Sequence, residues 1–164
     1  MKKVAIAISI ICIFGFKFNI SHAESVWDEP TIIVQEGKRI EAVVYRSPTC
    51  GCCSKWLAHL KTHGFNVQDN VVEDIQQIKD KYGVSRSLSS CHTAIIDGYV
   101  VEGHVPANDI KTMLRDKPGI KGLTVPGMEV GTPGMEMGDK QAPFNVMAFD
   151  SDGQVKLYKA YDKY

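Results

Sequence analysis

The chain has 164 residues, with 19 basic and 19 acidic side chains and five cysteines. That length suffices for one domain with a sizeable core, and the balanced charge, without a basic run or a basic amphipathic face, excludes the usual nucleic-acid and membrane-surface footprints. No P-loop, G-x-S-x-G, H-E-x-x-H or EF-hand pattern occurs, which removes those enzyme and ion-binding classes.

In chain order, residues 1–23 read as a secretory signal. Lys2 and Lys3 form a basic start, Val4 to Phe16 is apolar, and Ser21-His22-Ala23 supplies a small-x-small cleavage pattern. The apolar stretch is short for a bilayer and Lys17 interrupts it, which weighs against the alternative of an uncleaved anchor. Cleavage before Glu24 leaves 16 basic against 19 acidic residues and removes Cys12. The expected product is periplasmic, with no membrane attachment.

Four cysteines then remain: Cys50, Cys52, Cys53 and Cys91. In an exported protein they invite a reading as two disulfides, with three possible pairings. Three of the four are too close in sequence to staple distant parts of a fold, and a ring between adjacent Cys52 and Cys53 would be strained. The thiols therefore read as a site.

A lead-in over 24–39 contains Thr31-Ile-Ile-Val34, a candidate edge strand. Alternation of apolar runs and helical periodicity then predicts a strand at 40–46, a helix at 53–63, a strand at 65–72 and a helix at 74–82. Next come a strand at 93–97, an Asp97-Gly98 hairpin turn, a strand at 99–104 and a helix at 106–115. Cys53, Trp56, Leu57 and Leu60 share the core face of the first helix. His63-Gly64 and Tyr82-Gly83 read as helix ends with glycine in the left-handed position. The βαβαββα order is that of a thioredoxin-like fold. Residues 117–143 form a Gly/Pro/Met-rich loop with a tandem heptapeptide, Val125-Pro-Gly-Met128-Glu-Val-Gly131 and Thr132-Pro-Gly-Met135-Glu-Met-Gly138. Residues 144–150 and 154–158 close the chain as an additional C-terminal β-hairpin.

The chemistry centres on Ser47-Pro-Thr-Cys50-Gly-Cys52-Cys53. A strand feeding a C-x-x-C that opens a helix is a thioredoxin-like redox arrangement, and the helix N-terminus favours thiolate over thiol. Cys52 is one thiol more than that motif needs. In this topology the loop entering the third strand lies beside the C-x-x-C and normally carries a cis-proline. Here it reads Ser89-Ser90-Cys91-His92-Thr93, so Cys91 or His92 should face Cys50 and Cys53. Soft thiolates suit Cu(I), zinc or iron–sulfur. Met128, Met135 and Met137, on a loop long enough to cover the thiols, shift the choice towards copper, although each alone reads as a hydrophobic contact. His92 is the one histidine assigned to the site. His59 lies roughly 10 Å along the helix from Cys52; His59 and His63 are both expected to be solvated, and His104 to be structural. A Cys₄ zinc scaffold fits less well, because adjacent Cys52 and Cys53 do not easily reach one tetrahedral ion.

Taken together, Cys50-Gly-Cys52-Cys53, Cys91-His92-Thr93 and the two Pro-Gly-Met units resemble the CopG-like periplasmic copper-resistance family, from about Ile40 to Tyr158. The resemblance implies a thioredoxin-like fold and copper handling in a Gram-negative envelope. It also implies copper binding or thiol redox chemistry at Cys50, Cys52, Cys53 and Cys91, with the methionine loop nearby. The expected function is Cu(I) binding, multinuclear, with His92, Met128, Met135 and Met137 completing the shell and thiol state coupled to copper oxidation state. Copper ions, and other periplasmic copper-handling proteins, are the expected partners. The alternative is a thiol–disulfide oxidoreductase in which Cys50 attacks and Cys53 resolves.

Overall fold

The computed structural model describes residues 27, 31–34, 37–138 and 140–164. Residues 1–23, where a secretory signal is expected, and Cys12 within them lie outside the described residues. The elements run β1 (Ile40–Arg46), α1 (Gly51–Thr62), β2 (Phe65–Val71), α2 (Ile75–Lys81), a 3₁₀ turn (Arg86–Leu88), β3 (His92–Ile96), β4 (Tyr99–Glu102), α3 (Ala107–Asp116), β5 (Gly122–Thr124), β6 (Phe144–Phe149) and β7 (Val155–Tyr161).

These elements make a mixed α/β architecture around one seven-stranded sheet of order β2-β1-β3-β4-β5-β6-β7. The β1/β2 and β4/β5 pairs are parallel and the others antiparallel. Each parallel pair is bridged by a helix, α1 in the first case and α3 in the second, as parallel neighbours require a crossover. The sheet separates two cores by its two-residue period. Ala42, Val44, Ala94, Ile96 and Val101 join Trp56, Leu57 and Leu60 of α1 and Ile110, Met113 and Leu114 of α3 in the main core. Val100 and Phe149 instead join Val84 and Leu88 in a smaller cluster, with Tyr82 and Ile95 packed against it.

The punctuation expected from the sequence is present. Gly64 and Gly83 follow α1 and α2 with φ of +85° and +64°, values a Cβ would resist. The hairpin turn sets Ile96 opposite Tyr99 and Thr93 opposite Glu102.

Two readings change. Residues 31–34 form no strand; the Ile32 N–H goes to Asn108 Oδ1 at 3.0 Å, so a helix side chain satisfies it in place of a sheet edge. The 117–143 loop contains β5, which lies between β4 and β6 and joins the C-terminal hairpin to the rest of the sheet. Gly122 suits that position, because a Cβ there would overlap the Val100 backbone.

Candidate metal centre

The site lies where the N-terminus of α1 meets the loop entering β3. Cys50 precedes α1, with no side-chain cap on the first turn, so unpaired backbone N–H groups and the positive end of the helix dipole face the sulfurs. Cys50 and Cys53 are joined by a disulfide, while Cys52 and Cys91 are free and half-buried. Cys52 Sγ lies 3.5 Å from Cys50 Sγ and 3.8 Å from Cys91 Sγ. All four sulfurs fall within 4.8 Å of one another.

The described chain has no cis peptide bond; Cys91 faces the C-x-x-C region. Beneath it is a fully buried carboxylate. Glu102 accepts from the Ser90 N–H and the Thr93 hydroxyl, each at 2.6 Å, and pairs with the buried Lys79 ammonium. These contacts grip the chain on both sides of Cys91-His92. Removing one partner of such a pair strands the other charge, a cost of about 3–5 kcal/mol. Nothing in the strand pattern of the sequence announces this pair, because its members come from α2 and β4.

His92 is fully buried, with Nδ1 3.3 Å from Cys91 Sγ and its ring 4.3 Å from that of Trp56. Its Nε2 is buried without a hydrogen-bond partner. His104, expected to be structural, points at the site instead. Its Nδ1 donates to the Pro133 carbonyl at 2.8 Å, and Nε2 stands 3.2 Å from Cys91 Sγ. Because Nδ1–H is used by the carbonyl, Nε2 presents its lone pair to the sulfur, the state a metal ligand needs. Cys91, His92 and His104 thus form a second ligand group sharing one sulfur with the first. The signal for His104 was present in the sequence: two further steps of the register set by the Asp97-Gly98 turn bring Cys91 opposite His104. The bond from Gly103 N–H to the His92 carbonyl, 3.0 Å, marks the intervening step.

Burial pushes the Cys91 thiol up to about 12, with nearby Cys52 adding to the shift. Burial also lowers both imidazoles; for His92 the neighbouring His104 and Lys79 lower it further, whereas for His104 the Pro133 carbonyl and Glu136 offset part of the effect. In this oxidation state the site thus combines a disulfide, the protonated Cys91 thiol beside the free Cys52, and two neutral rings. The donor set fits a soft cation, whose charge would replace the thiol protons.

Both heptapeptide units reach the site through their Pro-Gly steps. Gly127 bonds to Ser89 and Ser90, immediately before Cys91. In the second unit Pro133 receives the His104 bond, and Gly134 (φ +84°) packs so closely on α1 that a Cβ would stand 2.6 Å from Trp56 N and 3.1 Å from the Cys52 carbonyl. The methionines that follow differ in exposure. Met128 and Met137 are open to solvent and Met135 is half-buried.

His59 and His63 correct an expectation of solvation. His63 is buried, the two rings lie 4.2 Å apart, and His59 Nε2 accepts the Ala107 N–H at 3.0 Å. An imidazole thus satisfies an orphan donor at the start of α3. Neither histidine belongs to the thiol group.

Comparison with known proteins places residues 88–135 in a family model described as a protein of unknown function, DUF411. Two solved structures, described as "Copper resistance protein copG- Form 2" and "Copper resistance protein copG- Form 1", are each 44% identical to this chain with a TM-score of 0.73. The alignments cover 76% and 77% of this chain and 99% and 100% of those chains. No match is found among curated protein sequences.

Proposed function

The chain belongs to the CopG copper-resistance family, and from that premise we propose that it is a periplasmic protein that binds more than one Cu(I) through Cys50, Cys52, Cys53 and Cys91. The observation that carries this reading is the convergence of four sulfurs within 4.8 Å from two separate chain segments. Thiolates are soft ligands that select Cu(I), and bridging sulfur accommodates the adjacent Cys52 and Cys53. His92 and His104 bring imidazole nitrogen to Cys91, while Met128, Met135 and Met137 offer thioether sulfur from the covering loop. The four-thiolate set requires reduction of the Cys50–Cys53 bond, which couples copper uptake to thiol state.

In this reading 1–23 is a cleaved signal, 24–39 a lead-in and 40–164 the metal-binding domain, with a thioredoxin-like core from β1 to α3. The test is metal content after anaerobic reduction, with Cu(I) and zinc in competition. Two or more coppers per chain that resist a strong Cu(I) chelator are expected, and Cys91→Ser should sharply weaken retention with the fold intact. One zinc with no retained copper would overturn the reading.

The Cys50–Cys53 disulfide at a helix N-terminus favours a second reading, thiol–disulfide exchange. There Cys53→Ser would trap a mixed disulfide at Cys50, and Cys91→Ser would matter little.

A further inference from the structure

Copper binding uses all four sulfurs as thiolates, yet two of them are already bonded to each other, and the other two are themselves neighbours. Cys52 Sγ and Cys91 Sγ stand 3.8 Å apart, from positions 39 residues apart in sequence. We propose that Cys52 and Cys91 form a second disulfide, giving the site a fully oxidised state in which all four sulfurs are held in two bonds and none remains to bind a metal ion.

The pairing follows by comparison of the three possibilities. Joining Cys52 to Cys53 closes a strained ring between adjacent residues. Joining Cys53 to Cys91 is disfavoured by aim, because fully buried Cys53 directs its sulfur at the Cys91 carbonyl, 3.8 Å away, whereas Cys52 Sγ faces the Cys91 sulfur itself. With Cys50 taken by Cys53, the pair left is Cys52 with Cys91. A disulfide needs about 2.05 Å between sulfurs. Both side chains are half-buried, and rotation about their Cα–Cβ bonds is the movement that closes the gap.

With a small disulfide R–S–S–R as oxidant the step balances. The Cys52 sulfur attacks one sulfur of the reagent, forming a mixed disulfide and releasing the first R–S⁻. The Cys91 sulfur then attacks Cys52 Sγ, breaking the mixed bond, forming Cys52–Cys91 and releasing the second. Two electrons pass to the reagent, and the two thiol protons end on two R–SH. Oxidation of Cys50 and Cys53 follows the same balance, so the four cysteines together exchange four electrons. Proximity favours closure over a lasting mixed disulfide, since Cys91 is already in contact. Exclusion of metal by this state rests on the copper reading above; formation of the bond does not.

The test treats the reduced, metal-free protein with excess oxidised glutathione, alkylates residual thiols and maps the tryptic peptides. The expected product joins the peptide of Cys50, Cys52 and Cys53 to that of Cys91, lighter by four hydrogens than the reduced pair and without alkylation. In Cys52→Ser, Cys91 should become alkylated, and in Cys91→Ser, Cys52 should keep glutathione as an unresolved mixed disulfide, with Cys50–Cys53 retained in both. Glutathione adducts or alkylation at Cys52 and Cys91 in the parent protein would overturn the proposal, as would Cys91 linked to Cys50 or Cys53. Because the mapping contains no metal, a failure of copper binding leaves its result unaffected, and a missing link leaves the copper reading standing.

Discussion

At Cys91 two imidazoles converge from the two strands at the open end of one hairpin, and the one that enters with its lone pair fixed is His104. Its bond to Pro133 sets the tautomer, so replacing it by leucine removes both the nitrogen at Cys91 and the loop contact. We expect His104→Leu to lower Cu(I) affinity by about 10–100-fold, the scale found when groups that orient metal ligands are lost, measured by competition against a chelator. His59 is expected to act on stability instead. Burial, with a contribution from His63, lowers its pKa from 6.5 to about 3. The folded chain therefore keeps the ring neutral while the unfolded chain takes up a proton below about 6.5. Stability is complete above that value and is lost as pH falls towards about 3. Urea midpoints measured across that window should decline with acid, and His59→Gln, whose amide oxygen can still accept from Ala107, should flatten the decline.

Among the elements, those with local signals were legible in the sequence: α1 with its apolar stripe, the glycine-ended helices, and both hairpins. The convergence of Cys91 on the C-x-x-C region followed from element order alone. What escaped depended on partners distant in sequence. β5 has three residues and owes its existence to β4 and β6 on either side. The His59 ring found its partner in the first turn of a helix 48 residues away. His104 was recoverable from the hairpin register, but the strand pattern alone presented it as an end residue. The second heptapeptide is anchored by Gly134, which combines positive φ with backbone contact on α1. Gly134→Ala should cost about 1–3 kcal/mol from strain at that site and lift the loop from Cys52. Faster transfer of bound Cu(I) to a chelator is the kinetic check, while far-ultraviolet circular dichroism should remain unchanged.

On the scale of the whole molecule, the two disulfides would affect stability very unequally. The Cys50–Cys53 bond spans three positions within one helical turn, whereas Cys52–Cys91 would close a loop of 39. Chain-entropy reasoning assigns a loop of that size about 4 kcal/mol, on the order of 10 °C in Tm for a domain of this size. Calorimetry of the reduced and fully oxidised forms should show that rise, and Cys52→Ser should abolish most of it. The two tryptophans also divide the molecule optically. Trp56 lies tilted against His92 at the sulfur cluster, while Trp27 sits among Phe144, Tyr161 and Tyr164. Light emitted by the first indole should therefore dim as the cluster fills, and emission from the second should supply a steadier background, so the protein carries its own gauge of occupancy without a label.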